Sequence, residues 1–420
     1  MSVVREFADG SQVVAVDLDD GLQEVRLEAN GDHLSRTLVI PLLMRIGEAI
    51  VRMDGIGGVA TPEEHRNLGY SRRVLEAAVE VMRAGDAAIT TLYGIPNYYR
   101  KFGYATCGPE YSTHLNVEGN ETPPAVLPDG WTFRDFAVSD LPDVMALCEQ
   151  NTRHATGAIL RREDAELPPG PAAVAKSSPD ARKVSERPWE TLAQLKTGTD
   201  NDACRILVDA GGDLAGYAWL GRSGWWVQSR ERHAPESFHI GEVMARDSQA
   251  ADAMVAAIQL WASEVAADKG AIEIVGPPEG PMAHAAANAG GIFVARYSWE
   301  GEFMARVLDA ARLFHQLQPE LSERVRRARL GYEGPVLVRT EEGEVRIGVS
   351  PEGVTLDPAP GGADLVVDLP QSTLARLALG AFETSDLLVR LPNRVPDEAV
   401  AVLEVLFPRR HPHIHAMDRF

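Results

Sequence analysis

Between residues 22 and 104 the period of apolar and polar positions changes several times, and each change marks an element. Residues 22–29 and 34–40 follow strand patterning and are separated by Asn30-Gly31, the pair that a tight hairpin turn selects. Residues 44–53 continue the strand pattern. Gly58-Val59-Ala60-Thr61 predicts a short buried strand ended by Pro62, which has no N–H for a ladder. A polar turn follows, from Glu63 to Ser71. After it Val74, Leu75, Ala78, Val79 and Met82 recur at the spacing of one helical face. Residues 87–92 then predict another strand. The stretch before the hairpin, about twenty residues, does not read as helix.

A break falls at Gly119-Asn120-Glu121-Thr122-Pro123-Pro124, with Pro128-Asp129-Gly130 close behind. A new unit opens at Trp131. Ser139-Asp140-Leu141-Pro142 predicts the cap of a helix through Val144, Met145, Leu147 and Cys148. Residues 168–188 are rich in Pro, Ala, Ser and charge and predict an exposed loop. Strands are expected at 205–208, 214–220 and 272–275, and helices at 250–267 and 283–289. This order repeats the plan of the first unit. A linking helix at 305–317 leads to a third unit. It has short strands at 334–339, 344–349, 353–356 and 364–369, then helices at 371–379 and 397–406. Strands followed by helices predict an α+β layer with the helices on one face.

The chain's 420 residues suffice for several cores, and 45% hydrophobic with 24% charged residues is ordinary for a globular protein. Cys107, Cys148 and Cys204 are far apart and form no metal pattern, which fits a reduced cytosolic setting. The N-terminus lacks an apolar stretch of signal-peptide length, and no run is long enough to span a bilayer. A net charge of −20 disfavours nucleic acid as a partner and steers cationic acceptors inward.

The chemistry concentrates at residues 58–104. A helix opening on a turn with Arg66 and the bare Gly69 offers unpaired N–H groups, the positive end of the helix dipole and one cation, a cradle for a pyrophosphate. Arg-x-x-Gly-x-Ser at 66–71 after a strand resembles the acyl-CoA loop of the GCN5-related N-acetyltransferases (GNAT). Tyr98-Tyr99-Arg100-Lys101-Phe102-Gly103-Tyr104 resembles the segment that in this superfamily follows the strand parting from its neighbour over the thioester. The resemblance implies acetyl-CoA as acyl donor, held by Val59, Ala60, Thr61, Arg66, Asn67, Leu68, Gly69, Tyr70, Ser71 and Asn97. Tyr99 is the expected acid for the departing thiolate, with Tyr98 as its competitor for that place. In the second unit the corresponding turn, residues 243–251, has Arg246 but puts Asp247 where an anion would sit. That unit is expected to fold as an acetyltransferase without holding cofactor, with His284 a helix residue and not a base.

Residues 363–369 and 374–380 resemble the sterol-carrier-protein-2 fold. An active GNAT unit (1–128), a degenerate one (129–304) and a sterol-carrier-like α+β unit (305–420) are together similar to the Eis family of bacterial acetyltransferases. That resemblance implies a homo-oligomer, often a hexamer, and a C-terminal carboxylate, here of Phe420, reaching the first unit's active site as general base. The family's N-terminal helices, which wall the acceptor site, have no counterpart in this sequence. The acceptors in view are polyamines, aminoglycoside-like compounds and lysine side chains. A non-catalytic protein that binds or senses acyl-CoA or lipid is the alternative. His411, His413 and His415 alternate and would share one side of an extended chain, as metal ligands do. With no clear fourth ligand, packing of the tail is the preferred reading and no metal is expected.

Overall fold

The computed structural model describes residues 1–18, 21–116, 125–161, 187–195, 203–222, 225–297, 301–357 and 365–420. The break expected at 119–124, most of the loop expected at 168–188 and the first residue of the strand expected at 364–369 lie outside them.

The chain begins with strands. β1 (Ser2–Glu6) and β2 (Gln12–Asp17) occupy the stretch before the hairpin. β3 (Gln23–Ala29) and β4 (Asp32–Ile46) form the expected hairpin, with Asn30 and Gly31 at φ 52° and 88°. β5 (Ala49–Ala60) turns back along β4. The strand expected at 44–53 is broken by a turn at Gly47-Glu48, its first residues ending β4 and residues 49–53 opening β5. β5 also takes in residues 58–60 of the strand expected at 58–61. The latter expectation needs correcting, because Gly58 and Ala60 are exposed: the strand outruns the core there. α1 (Tyr70–Ala84) buries Val74, Leu75, Ala78, Val79 and Met82 as their spacing predicts. β6 (Ile89–Gly94), α2 (Pro96–Tyr99) and β7 (Ala105–Gly108) complete this stretch.

Next come β8 (Glu110–Asn116), β9 (Thr132–Asp135), α3 (Leu141–Thr152), β10 (Thr156–Ile159), β11 (Cys204–Val208) and β12 (Leu214–Trp219). α4 (Trp225–His233), β13 (Ser237–Ile240), β14 (Glu242–Ala245), α5 (Ser248–Val265) and β15 (Ala271–Val275) follow. α6 (Pro281–Asn288), β16 (Ile292–Arg296) and β17 (Glu302–Val307) end the middle of the chain. Asp140 does not cap α3 as expected. Its carboxylate instead accepts from the Ala137 N–H at 2.8 Å and pairs with Arg134.

The linking helix begins later than expected. Residues 305–307 belong to β17, and α7 (Ala310–Ala328) starts after Asp309, whose side chain caps it. β18 (Gly334–Thr340), β19 (Gly343–Ser350), β20 (Gly353–Leu356) and β21 (Leu365–Asp368) precede α8 (Gln371–Leu379), α9 (Thr384–Leu388) and α10 (Asp397–Leu406).

Among the described residues the first sheet has the order β1-β2-β3-β4-β5-β6-β17-β7, with β10 on the far half of β4. Two four-stranded sheets, β14-β12-β11-β9 and β13-β15-β8-β16, share α5, and β20-β19-β18-β21 forms the last. Hydrogen bonding therefore crosses the expected cuts at 128 and 304: β8 joins the middle sheets while β10 and β17 return to the first. One face of the first sheet packs on α1 through Val25, Leu27, Ile56 and Leu92. The other face shares a continuous core with α7 and the last unit, including Met44, Met53, Phe314, Leu374 and Phe407. Polar groups pin that contact, with Gln316 accepting from the Arg52 N–H and Glu320 from the Glu48 N–H, both at 2.8 Å.

Phe407 is fully buried and meets Phe314 edge-on at 5.9 Å. Phe407→Ala should cost about 3–5 kcal/mol, because the ring's transfer energy is lost and a cavity remains. Denaturant unfolding of the variant against the parent measures it.

Candidate active site

β5 and β6 run parallel only through Met53–Ile89, Asp54–Thr90 and Gly55–Thr91. Beyond Gly55, β5 stays with β4 while β6 continues along β17, so the strands part and leave an opening in the sheet. Thr37 Oγ1 donates to the Gly57 carbonyl at 3.0 Å, beside the shift of register between Arg36 and Leu38. Val59, Ala60 and Thr61 lie at the exposed end of β5. Ser35 Oγ donates to the Ala60 carbonyl at 3.2 Å and lies 2.8 Å from the Thr61 hydroxyl.

The turn to α1 is built from backbone. Asn67 and Gly69 have φ of 64° and 79°, left-handed conformations that Gly adopts at no steric cost. Gly69 stands at the N-cap without a side-chain cap, and the first turn of α1 carries no acidic residue. Arg66, Asn67, Leu68 and Gly69 are exposed, with Tyr70 and Ser71 half-buried. Tyr70 and Ser71 are the first helical residues, not the end of the turn. The second copy differs at this point: Asp247 caps α5 by accepting from the Ala250 N–H at 2.9 Å, and Arg246 pairs with Asp209. A fixed carboxylate there fills the place of an external anion. His284 is an exposed residue of α6.

The two tyrosines separate cleanly. The Tyr98 hydroxyl is hydrogen-bonded to Ser71 Oγ at the start of α1. The Tyr99 hydroxyl bonds to no described residue, and one side of its ring lies against Gly94, where a Cβ would collide with it. The two rings meet edge-on at 5.1 Å. Burial, and then Tyr98, push the Tyr99 phenol up to about 12. Tyr99 thus lines the β6 side of the opening, while Asn97 is exposed on the same short helix.

The C-terminal tail reaches the β5 side. Arg410 N–H donates to the Gly380 carbonyl at 2.6 Å, and His413 N–H to the Thr156 carbonyl at 2.9 Å. Arg161 then holds Asp418 through two hydrogen bonds of 2.8 Å while its other arm grips Glu242 at 2.6 and 3.0 Å. Side-chain exposures of Arg161, Glu242 and Asp418 are 3%, 0% and 2%. Burial works against the Glu242 charge, but Arg161 overcomes it and holds the carboxyl at about 2. For Asp418 burial wins, and its pKa is raised. Arg419 is fixed beside it, donating to Glu110 at 3.0 Å between the Tyr93 and Trp226 rings. Phe420 follows, with its ring on Gly55 and its carboxyl carbon 3.5 Å from where a Gly57 Cβ would lie.

The histidines do not share one side. His411 pairs with Glu279 and meets Tyr111 edge-on, whereas His413 and His415 stack edge-to-face at 5.1 Å. Burial keeps both of the latter neutral by lowering their pKa. No cluster able to hold a metal occurs among the described residues.

Sequence reasoning missed Gly55, Gly57, Arg161, Glu242, Glu110 and Asp54. The signal for the glycines is present: Gly55-Ile56-Gly57-Gly58 inside a strand marks close approach by another backbone or ring. Asp54 stands at the middle of the three paired rungs, on the sheet face opposite Gly55. Burial, then the Asp86 carboxylate, push it up to about 7, with Arg312 and Arg52 pulling back.

No curated protein matches the chain. Residues 21–107 match the model of the acetyltransferase (GNAT) domain. The fold is similar to a probable N-acyltransferase of Enterococcus faecalis V583 (15% identity, 95% of this chain and 90% of that one, TM-score 0.67). It is similar as well to a GCN5-related N-acetyltransferase of Kribbella flavida (16%, 94% and 88%, TM-score 0.62). Eis1 of Mycobacterium abscessus is a further neighbour (13%, 93% and 89%, TM-score 0.56).

Gly55→Ala should push the Phe420 ring off β5 without unfolding the sheet. Carboxypeptidase should then release Phe420 at least tenfold faster than from the parent at equal melting temperature. Asp54 supplies a pH test. Its folded pKa lies above the unfolded value of 3.8, so the native state binds the extra proton and Asp54's contribution falls as pH rises from about 4 to about 7. Asp54→Asn removes that loss. The stability difference between variant and parent should grow over this window to about 2 kcal/mol and then level, less than full linkage because Asp54 keeps some contact with water. Urea unfolding at pH 4, 5.5, 7 and 8 measures it.

Residues 21–107, which hold the parted strands and the uncapped helix, match the acetyltransferase (GNAT) domain, and the chain is an N-acetyltransferase.

Proposed function

We propose that the chain transfers an acetyl group from acetyl-CoA to the primary amine of a cationic acceptor by direct attack on the thioester, with Phe420 and Tyr99 as catalytic residues. The single observation that carries this reading is the placement of these two groups on either side of one opening, Phe420 against Gly55 and Gly57 of β5 and Tyr99 against Gly94 of β6. Acetyl-CoA is the substrate that the domain implies. Its pyrophosphate would take the N–H groups of Leu68 to Ser71 and the Arg66 guanidinium, with Asn67 shaping the turn, and its pantetheine the strand end from Val59 to Thr61. Asn97 is proposed as a further contact to the donor.

The proton account follows from the pKa values. An alkylammonium with pKa near 10 must lose a proton before its nitrogen attacks, and the Phe420 carboxylate receives it directly or through water. The N–C bond forms as the C–S bond breaks, and CoA leaves as thiolate. A phenol at about 12 is a weaker acid than a thiol, so Tyr99 stabilises the thiolate by a hydrogen bond and relays a proton to it. The second proton, lost by the nitrogen as the amide forms, is the one relayed to the thiolate; the products are the N-acetylated amine and the free thiol, and the proton taken by Phe420 passes to water, one released per turnover.

Within this proposal the divisions at 128 and 304 remain the functional ones: donor binding in the first unit, scaffold in the second, and tail delivery in the third. The third is read as sterol-carrier-protein-2-like, a reading supported by its four-stranded sheet with α8 to α10 after it. A cytoplasmic homo-oligomer, hexameric by family resemblance, completes the proposal; polyamines, aminoglycoside-like compounds and lysine side chains are its starting panel of acceptors.

Thiol release from acetyl-CoA tests it. Deletion of Phe420 should lower kcat at least a hundredfold with acetyl-CoA still bound, as expected for a lost general base. Tyr99→Phe should lower kcat roughly tenfold or more and Tyr98→Phe less than threefold. Equal turnover with and without Phe420 would remove the carboxylate from the mechanism. Binding of acetyl-CoA with no turnover of any amine would favour the sensing alternative.

A further inference from the structure

Tyr99 sits in a corner that the third unit grips from outside. After α2 the chain makes one tight helical turn, Arg100–Phe102, and Gly103 ends it at φ 81°. The Tyr104 N–H donates back to the Tyr99 carbonyl at 3.4 Å, and the two rings meet edge-on at 6.3 Å. The carbonyls that close this turn take donors from further along the chain. Gln371, the first residue of α8 and 3% exposed, donates its side-chain amide to the Gly103 carbonyl at 2.5 Å. The same amide accepts from the Val307 N–H at 3.0 Å, on β17, the strand that continues along β6. Arg306, also on β17, donates to the Phe102 carbonyl and, at 2.9 Å, to Glu342. Glu342 lies in the turn from β18 to β19 and pairs in addition with Arg83 at the end of α1. A Cβ added at Gly103 would stand 3.0 Å from both the Arg306 and the Gln371 nitrogens, so the grip is close.

We propose that Gln371, with Arg306 beside it, is a positioning residue for acetyl transfer: it fixes the corner that aims the Tyr99 hydroxyl at the departing sulfur. The inference rests on the transferase reading above and names a residue that acts through Tyr99. Residue type matters at this position. One partner of the side chain is a carbonyl and the other an N–H. A glutamine serves both at once; an ionised glutamate has no donor, and a methionine has no strong group of either kind. The Tyr99 hydroxyl, bonded to no described residue, takes its aim from the backbone beneath it and from the Gly94, Tyr98 and Tyr104 contacts of its ring. A phenol carries its oxygen at the far end of a rigid ring, so a small rotation of the corner is enlarged there. Displacing a reacting group by about 1 Å can cost on the order of a hundredfold in rate. The third unit thereby sets both flanks of the opening, Phe420 through its tail and Tyr99 through the start of α8.

The test is a double-mutant cycle on the full chain, read as thiol release from acetyl-CoA with the fastest acceptor of the panel above. Gln371→Met should lower kcat roughly fivefold or more, with KM for acetyl-CoA within about twofold of the parent. In a Tyr99→Phe background the same change should lower kcat less than about twofold, because no hydroxyl is left to aim. Gln371→Glu, which keeps the acceptor for the Val307 N–H, is the second variant should the first fail to fold. Fluorotyrosine placed at position 99 supplies a readout without turnover: its fluorine NMR resonance should shift or broaden in either Gln371 variant, at unchanged circular dichroism. An unmoved resonance, or an equal loss of kcat in both backgrounds, overturns the inference. A resonance that moves in a chain turning over no amine keeps the placement of Tyr99 by Gln371 and overturns the transferase reading. Turnover that Tyr99→Phe leaves unchanged removes Tyr99 from the mechanism and overturns the inference with it.

Discussion

One buried guanidinium holds the site together. Arg161 lies where β10 leaves the first sheet, and it grips Glu242 of the middle unit and Asp418 of the tail at the same time. Three regions far apart in sequence therefore share one charge. Leaving such a charge unpaired in the interior costs about 3–5 kcal/mol, which makes each partner's place conditional on the others. Tyr217 donates to Glu242 and Trp189 packs under the guanidinium, so the cluster is closed on every side that the described residues show. Two residues later the chain ends on Gly55 and Gly57. The terminal carboxylate is thus located by an ion pair formed elsewhere, not by a pocket of its own.

The two strand–turn–helix corners differ in how the N-termini of their helices are satisfied. α1 starts at a left-handed glycine with no side-chain cap, and its leading N–H groups face outward beside Arg66. α5 starts at Asp247, whose carboxylate already accepts from Ala250 and pairs with Arg246. Helix dipole and free donors are the same resource in both. The first copy leaves it open, and the second satisfies it internally.

Local features were legible in the sequence. The helical face of α1, the Asn30-Gly31 hairpin, the boundaries of α8 and α10 and the strand β20 follow from periodicity and turn chemistry, because neighbours within a few residues determine them. The exchange of β8, β10 and β17 between sheets was not legible, since strand pairing depends on residues more than a hundred positions away. The same holds for Arg161: the first of two arginines after an apolar run looks like the end of a strand until Glu242 and Asp418 are folded onto it. The linking helix starts later than its sequence suggests because Ala305-Arg306-Val307 suit either state, and pairing with β6 decides for strand. The sequence resemblance already favours Tyr99 over Tyr98, and tertiary contacts set the two apart, a Ser71 hydroxyl for Tyr98 and the bare Gly94 for Tyr99.

The opening has two faces, and the chemistry divides between them. On β6, Leu92 belongs to the α1 side, and Gly94, two residues on, presents the same face to Tyr99. On β5, Met53 belongs to the opposite side, and Gly55 presents that face to Phe420. In the proposed mechanism, Tyr99 and the Phe420 carboxylate would approach a thioester between the strands from opposite directions. Attack at a carbonyl carbon proceeds above or below its plane, so in that proposal a nucleophile entering from the Phe420 side would meet a planar thioester with Tyr99 facing its sulfur. Strands that stayed paired beyond Gly55 would close both approaches with their own hydrogen bonds. Parting the ladder forfeits a few backbone bonds at the sheet's centre, and the tail, held by Arg161, fills the β5 flank of the opening that results.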